Sequence, residues 1–275
     1  MKLKVEHLTQ FEYDRPVFET ATEVRLQPLG GPGSPQQLKS FKLEIEPDAR
    51  VFNYPDFYGN QVHYFTLLPP HENLEIRTEA VVETGSGSFP VDARDQINLF
   101  DYQTQCRYIV FSEAAQAFAA SLVLDEPVLL GLNLAEKICR TINQEFQYQK
   151  GVTTVYSTVE QVLQQKTGVC QDFAHVMITT CRILGLPTRY VSGYLYSGLE
   201  GRQEGASHAW CEVLDAENQQ WIGFDPTHST INVDERYIKI GHGRDYSDIP
   251  PVKGTYKGRA AESLKVKVYV TALSD

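Results

Sequence analysis

The amino-acid sequence predicts an α+β protein, because the spacing of its apolar residues changes twice along the chain. Over roughly the first 90 residues apolar and polar side chains alternate, which is typical of strands with one buried face. From Ser112 apolar residues recur every three or four positions, as on amphipathic helices, and after Pro187 the alternation returns. We therefore expect a β-rich N-terminal domain over residues 1–95 and a second domain over residues 96–275, with a helical lead-in at about 112–166 and a C-terminal strand.

The predicted N-terminal domain contains three alternating segments, Leu3–Tyr13, Phe41–Ile45 and Leu74–Val82. Stretches rich in glycine, proline and asparagine separate them, so tight turns should join the strands into a β-sandwich-like domain. Three histidines of this region lack a neighbouring partner for catalysis, and we expect them to be structural or solvated. These are His7, His63 and His71.

Length, charge and cysteine content exclude several classes of protein. A chain of 275 residues, 42% of them hydrophobic, can bury a substantial core, and its net charge of −10 argues against nucleic acid or an anionic membrane as partner. The sequence has no apolar stretch of about 18 residues and no obvious export signal, so we expect a cytoplasmic protein. Five cysteines without a CxxC pair favour free thiols in a reducing compartment.

Three helices are predicted before residue 169. Ser112 should cap an alanine-rich helix, and a stripe at intervals of four residues indicates a second one. The pattern Ser157-Thr158-Val159-Glu160 is typical of a capping box and predicts a third helix that leads to Gly168. The stripe consists of Leu130, Leu134, Ile138 and Ile142.

A fourth predicted helix carries the candidate nucleophile, Cys170, in its first turn. Gly185 and Pro187 should end this helix, and apolar residues from Phe173 to Leu184 recur at intervals of three and four, so one side can face a core. Unpaired N–H groups and the positive end of the helix dipole favour a thiolate at this position.

Two strands after Pro187 bring together the candidate base and its partner. The strand that begins at His208 and the strand that ends at Asp225 lie on either side of a polar turn near Ala216 and Glu217. Each residue is about equally far from that turn, so the hairpin should place the two side chains close together on one face. Cys170, His208 and Asp225 then supply a thiol nucleophile, a base and an acid that orients the base.

Other side chains near Cys170 offer weaker interpretations. Asp172 and His175 could form an alternative pair, but a helix directs His175 away from the sulfur, so structural roles are favoured. Gln164 and Gln165 could donate to an oxyanion, although surface positions are expected for both. A zinc site formed by the cysteine, histidine and aspartate themselves is formally possible, yet closely spaced ligand pairs are absent, and we expect no metal and no cofactor.

Four motifs in this order resemble the transglutaminase-like core of bacterial proteins often described as cysteine proteases. They are GVCQDFAH, RYVSGYLY, SHAWCEV and WIGFDPT, followed by GRDYSDIPPVKGTY, which is similar to the C-terminal signature of that family. The segments HLTQFEYDRPV, RLQP and YGNQV resemble its β-rich N-terminal domain, so the likeness covers nearly the whole chain. The resemblance implies a papain-like core in which the helix carrying Cys170 packs on an antiparallel sheet.

The activity that the resemblance implies is hydrolysis of a peptide or related amide bond through a thioester on Cys170. The backbone N–H of Cys170 is one natural oxyanion donor, and the sequence identifies no second one. Cross-linking or acyl transfer by the same residues is an alternative, as is a module that binds proteins or peptides without catalysis. Hydrolysis, cross-linking and binding without catalysis each predict a peptide or protein partner, and acyl transfer predicts an acyl donor. The loops at Ser197–Ser207 and Tyr246–Tyr256 are expected to border the cleft.

Overall fold

Two large antiparallel sheets, one two-stranded parallel sheet (Gln147–Tyr148 with Thr167–Gly168) and five α-helices make up the fold seen in the computed structural model, which describes residues 1–31, 33–124, 130–152, 157–198, 204–205 and 207–273. In chain order the strands are β1 (Lys2–Val24), β2 (Gln36–Glu46), β3 (Phe52–Pro55), β4 (Gln61–Leu67), β5 (His71–Thr84), β6 (Phe89–Pro90), β7 (Gln147–Tyr148), β8 (Thr167–Gly168), β9 (Thr188–Leu195), β10 (Glu204–Gly205), β11 (Ser207–Asp215), β12 (Gln220–Asp225), β13 (Thr230–Ile231), β14 (Tyr237–Gly243), β15 (Val252–Lys257) and β16 (Glu262–Ala272). The helices are α1 (Ala93–Ile97), α2 (Glu113–Ser121), α3 (Gly131–Glu145), α4 (Val159–Gln165) and α5 (Cys170–Ile183).

The long first strand, β1, organises the first sheet. Its first half, from Leu3 to Tyr13, lies between β5 and β16, whereas its second half pairs with β4 and β15. The register shifts between Glu12 and Val17, where β1 passes from one set of partners to the other. Such a shift bends a strand and increases its twist, so the eight-stranded sheet curls around β1.

The C-terminal strand β16 completes this first sheet. It pairs with β1 along its whole length, from Leu3 opposite Ala272 to Tyr13 opposite Glu262. The predicted second domain includes this strand; in the structure its apolar residues Val268 and Val270 join the core of the first sheet. Local alternation predicts a strand but carries no information on its partner, which here lies more than 240 residues away in the chain.

The second sheet has the strand order β13-β12-β11-β9-β14, with β6 alongside β12. Helix α5 packs on β11 and β9, and α2, α3 and α4 cover its other side. Every residue from Asp172 to Arg182 is consequently buried. The expectation of a helix with one buried side is therefore too narrow, because the second sheet and the other helices cover α5 on different sides.

Helix boundaries agree with the predicted signals to within one residue. Ser112 caps α2 by accepting a hydrogen bond from the backbone of Ala115. The capping box of α4 is formed by Thr158 and Gln161, one position after the predicted Ser157 and Glu160 pair. Each of the two pairs has a hydroxyl residue followed three positions later by a residue whose side chain can accept a hydrogen bond. The sequence alone therefore does not distinguish the two capping boxes.

The predicted stripe of α3 is buried at Leu134, Ile138 and Ile142 but not at its first member. Leu130 is 71% exposed, because it precedes the helix as its N-cap residue and the chain turns at Gly131 with a positive φ of 58°. The stripe therefore begins one helical turn later than predicted.

The sequence predicts that two loops, Ser197–Ser207 and Tyr246–Tyr256, border the active-site cleft. Most of Ser197–Ser207 lies outside the described residues. The second, Tyr246–Tyr256, contains a short 3-10 turn at Tyr246–Asp248 and then most of β15, so it is more ordered than a loop. Among the described residues no helix is both long and apolar enough to cross a membrane.

The two sheets share one buried cluster. Tyr194, Ile238 and Ile240 of the second sheet, with Tyr196 just after β9, pack in it with apolar residues of β1, β5 and β16. His7 lies in this interface, where its ring nitrogens bond the Tyr194 hydroxyl at 2.9 Å and the Thr9 hydroxyl at 3.0 Å. Burial lowers the pKa of His7 to about 4, which agrees with the predicted structural role.

Candidate active site

Cys170 is the first residue of α5, where the sequence predicted it. The Asp172 carboxylate closes the start of this helix by accepting a hydrogen bond of 2.8 Å from the Val169 N–H. Gly168 permits this cap, since a Cβ atom there would lie 2.8 Å from the Asp172 side chain. Cys170 remains partly exposed at this helix N-terminus.

The other four cysteines are also free thiols. Cys139, Cys181 and Cys211 are buried in the core around α5. Burial raises the pKa of Cys181 to about 12 and that of Cys211 well above its usual value. These two thiols are held protonated, so they are poor nucleophiles.

The β11–β12 hairpin brings His208 and Asp225 together. Its register pairs Cys211 with Phe224, so Asp225 lies one residue and His208 three residues beyond that pair, on the same face of the sheet. The His208 Nε2 donates a hydrogen bond of 2.7 Å to Asp225 Oδ2. Asp225 is completely buried and His208 is 8% exposed, so this contact is shielded from water.

His208 also interacts with Cys170. Burial disfavours a charged imidazole, but hydrogen bonds to Asp225 and Cys170 and their negative charges outweigh it and raise the pKa of His208 to about 10. Because Nε2 is engaged by Asp225, Nδ1 is the ring nitrogen that remains for the thiol. The structure therefore brings all three predicted side chains into one contiguous group.

Two further residues of this group were missed from the sequence. His228 Nδ1 donates to Asp225 Oδ2 at 2.8 Å, and the Tyr237 hydroxyl donates to the same oxygen at 2.8 Å. The other carboxylate oxygen accepts the Thr227 N–H at 2.8 Å. Burial opposes the charge, yet the His208 and His228 hydrogen bonds lower the pKa of Asp225 far below its usual value.

The sequence holds a weak signal for one of these two residues. His228 follows Asp225 by three positions in the turn after β12, which is near enough to bond its carboxylate. Tyr237 belongs to β14, which is not adjacent to β12 in the sheet, and no local pattern indicates that contact.

Trp210 packs behind the imidazole and is only 1% exposed. Its ring stacks on His208 with centroids 6.2 Å apart and meets Tyr237 edge to face at 5.3 Å. Gly193, opposite His208 in β9, makes room for it, because a Cβ atom there would lie 2.5 Å from Trp210. This burial indicates a packing role for Trp210.

The weaker candidates take structural positions. His175 is buried and accepts a hydrogen bond from the Tyr246 N–H at 3.2 Å, and its ring stacks on Tyr108. Burial lowers the pKa of His175 to about 4, although nearby Asp245 opposes this effect. Gln164 and Gln165 are exposed on α4, as expected for surface residues.

Among the described residues, one group of metal-ligating atoms lies close together, formed by His208, Asp225 and His228. Both imidazoles lie at 2.7–2.8 Å from the carboxylate oxygen, which are hydrogen-bond distances. Ligands of a tetrahedral zinc at about 2.0–2.1 Å from the ion lie roughly 3.3 Å apart. The present arrangement is therefore that of a hydrogen-bonded cluster. The zinc set considered from the sequence contained Cys170 in place of His228.

A cavity of about 450 Å³ lies between the first sheet and the second. Its lining includes His7, Thr9, Tyr13 and Ser207. Ser207 precedes His208 in β11, so the two side chains point to opposite faces of the sheet. Ser207 shares its face of β11 with Ala209 and Cys211, which pack with α5, and none of Cys170, His208 and Asp225 lines the cavity.

Protein-family comparisons identify the class of this chain. Residues 116–226 match the transglutaminase-like superfamily, and residues 3–83 match the bacterial transglutaminase-like N-terminal region. An uncharacterized protein of Mycobacterium leprae (strain TN) is 34% identical over an alignment of 286 residues that covers 99% of each chain. The chain therefore belongs to the bacterial transglutaminase-like family, which confirms the resemblance carried by its motifs.

Two further proteins are similar to parts or all of the chain. A crystal structure from Cytophaga hutchinsonii, described as a putative cysteine protease, matches 100% of this chain and 92% of its own with a TM-score of 0.76 and 20% identity, which shows a shared fold. The chicken peptide-N(4)-(N-acetyl-beta-glucosaminyl)asparagine amidase is 27% identical over 92 residues, or 34% of this chain and 12% of the amidase. The shared architecture is a transglutaminase-like fold with curled antiparallel sheets.

Proposed function

We propose that this protein is a cysteine enzyme that hydrolyses a peptide or related amide bond, with Cys170 as nucleophile, His208 as base and Asp225 as the acid that orients the imidazole. The observation that carries the proposal is the buried 2.7 Å hydrogen bond between His208 and Asp225, formed on the imidazole that also interacts with Cys170. A helix N-terminus and a neighbouring imidazolium both favour a thiolate.

In the first half of the proposed reaction, the Cys170 sulfur attacks the amide carbonyl carbon and forms a C–S bond. The resulting oxyanion accepts a hydrogen bond from the backbone N–H of Cys170, which as the first N–H of α5 has no partner within the helix. His208 then donates its proton to the leaving nitrogen as the C–N bond breaks, which leaves a thioester and a free amine.

In the second half, water attacks the thioester while His208 takes one of its protons. The C–S bond breaks, the acid product leaves, and the thiolate and imidazolium are restored. Asp225 keeps the imidazole in one orientation throughout and stabilises its positive charge.

Hydrolysis is favoured over transfer to a second amine. The similar Cytophaga structure is described as a protease and the chicken relative is an amidase, so both names refer to amide cleavage. Cross-linking within a cytoplasm, where we place this protein, would also endanger the proteins of the cell. Acyl transfer would use the same three residues, with an amine in place of water.

The reactivity of Cys170 tests this proposal without knowledge of the substrate. We expect iodoacetamide to alkylate Cys170 well below the ordinary cysteine pKa of about 8.5, and the His208→Ala variant to lose this low-pH labelling. Peptide mass spectrometry from about pH 5 to pH 9 gives the rate at each cysteine, with buried Cys181 as internal reference. A slow rate that rises only near pH 8.5 in both proteins would favour a binding module without catalysis.

If labelling supports the ion pair, a library of peptides with and without added amines separates hydrolysis from transfer. Hydrolysis releases a free carboxylate, whereas transfer produces a new amide. The Cys170→Ala variant is the control, because an activity that disappears in this variant requires the Cys170 thiol.

A further inference from the structure

The Asp225 carboxylate is bonded more extensively than orientation of one imidazole requires. Its Oδ2 accepts hydrogen bonds from His208, His228 and Tyr237 at 2.7, 2.8 and 2.8 Å. Asp225 is completely buried, so each of these donors replaces water that the carboxylate loses on folding. Hydrogen bonds to an ionised group are among the stronger ones in proteins.

We propose that His228 and Tyr237 are positioning residues, which fix the Asp225 carboxylate so that His208 is held toward Cys170. This inference rests on the proposed function, since it concerns the same site. In this proposal both residues act only through Asp225 and do not contact the substrate.

Tyr237 reaches the Asp225 carboxylate from β14. The Tyr237 hydroxyl has one proton, which it donates to Asp225. In its second hydrogen bond, of 3.1 Å, the Tyr237 oxygen is therefore the acceptor and the Thr230 hydroxyl is the donor. Thr230 lies in β13, directly paired with Asp225 in β12. The phenol is thereby locked between two neighbouring strands, and its ring also packs against Trp210 and His208.

His228 reaches the same carboxylate from the turn that follows β12. Its side chain is 50% exposed, while the carboxylate it bonds is fully buried. Its ring lies 5.2 Å from that of His208, and both donate to one oxygen. With the Thr227 N–H on the other oxygen, rotation of the carboxylate would break bonds on both of its oxygens.

Substitutions can separate the hydrogen bonds from packing. Tyr237→Phe removes only the hydroxyl, and His228→Ala removes the second imidazole. His228→Asn is the conservative rescue, because its amide nitrogen can take the place of Nδ1. Tyr54→Phe is a matched control, since the Tyr54 hydroxyl donates to the Glu23 carboxylate at 3.0 Å away from the site.

We expect the rate of Cys170 alkylation near pH 6 to fall roughly 2- to 10-fold in Tyr237→Phe and in His228→Ala. This is the fold-change that corresponds to the net free energy of one hydrogen bond. His228→Asn should recover most of the loss, and Tyr54→Phe should match the wild type. Once a substrate is known, kcat should fall while KM stays within about twofold. Unchanged alkylation in both Tyr237→Phe and His228→Ala would overturn the inference.

A second measurement separates this inference from the proposed function. Proton NMR of ¹⁵N-histidine-labelled protein reports the His208 Nε2–H directly, and this proton should be strongly deshielded by the 2.7 Å bond. We expect its resonance to shift or broaden in Tyr237→Phe and His228→Ala even if no activity is ever found. An unperturbed resonance in both variants would contradict the inference even for an active enzyme.

Discussion

Single residues decide whether this site reacts, and Cys170 is the first of them. We expect Cys170→Ala to abolish activity, because no other described cysteine interacts with His208. Its free energy of unfolding should stay within about 1–2 kcal/mol of the wild type, as is usual for a small change at a partly exposed position. Urea denaturation measures this. A variant that fails to fold would show that the thiol is structural.

The His208–Asp225 pair should also make stability depend on pH. The pKa of His208 is raised to about 10, so its contribution is fully present below its unfolded pKa of about 6.5 and is lost as pH rises through 10. The pKa of Asp225 is lowered, so its contribution is lost as pH falls below about 3.9. The pair should therefore stabilise most between about pH 4 and 6.5.

Denaturation of the wild type and of His208→Ala between pH 5 and pH 10 measures this dependence. The difference in unfolding free energy should be largest near pH 5–6 and should shrink steadily above pH 6.5. A difference that grew with pH would mean that His208 is neutral in the folded protein.

At the scale of elements, the start of α5 positions the nucleophile. We expect Asp172→Ala to lower the unfolding free energy by about 0.5–2 kcal/mol, the usual effect of losing a helix cap. It should also lower turnover, because the Cys170 N–H belongs to the same first turn. Urea denaturation and turnover should be measured together.

The capping residue of α4 gives a matched control. Thr158 caps that helix through a 3.2 Å bond from the Gln161 N–H, and α4 carries none of the proposed reacting groups. Thr158→Ala should cost a similar free energy and leave turnover unchanged. Equal losses of turnover in both variants would indicate general destabilisation.

Elements also show how much the sequence could predict. His208 and Asp225 were placed together from the sequence because one short hairpin joins them, and the turn fixes its register. The position of Cys170 at the start of α5 could also be predicted, because it depends only on the local sequence pattern of one helix. Tyr237 could not be found, since its contact requires β9, β11 and β12 to assemble first. The partner of β16 was beyond prediction for the same reason.

At the scale of the whole molecule, two buried amides join the first sheet to the edge strand β14. The Gln36 side chain donates to the Lys239 C=O and accepts from the Lys239 N–H, both at 2.8 Å. Asn60 does the same with the C=O and N–H of His242, also at 2.8 Å. Each amide supplies the donor and acceptor that a neighbouring strand would otherwise supply, so the N-terminal region completes the second sheet.

This arrangement explains a glycine in β14 and ties the site to the N-terminal region. A Cβ atom at Gly241 would lie 2.6 Å from the Asn60 Oδ1, so the close approach of the amide requires glycine there. The strand that Asn60 and Gln36 hold also carries Tyr237. The N-terminal region should therefore support the geometry around Asp225.

Replacement of Asn60 tests this support. We expect Asn60→Ala to leave the buried N–H and C=O of His242 unpaired, at a cost of about 1–3 kcal/mol for each group, and to lower Cys170 alkylation near pH 6 through movement of β14. Asn73→Ala, at an exposed asparagine of β5, is the control for loss of an amide alone. Calorimetry and alkylation rates measure the two effects. An Asn60→Ala protein as stable and as reactive as the Asn73→Ala control would show that the second sheet holds its site without the N-terminal region.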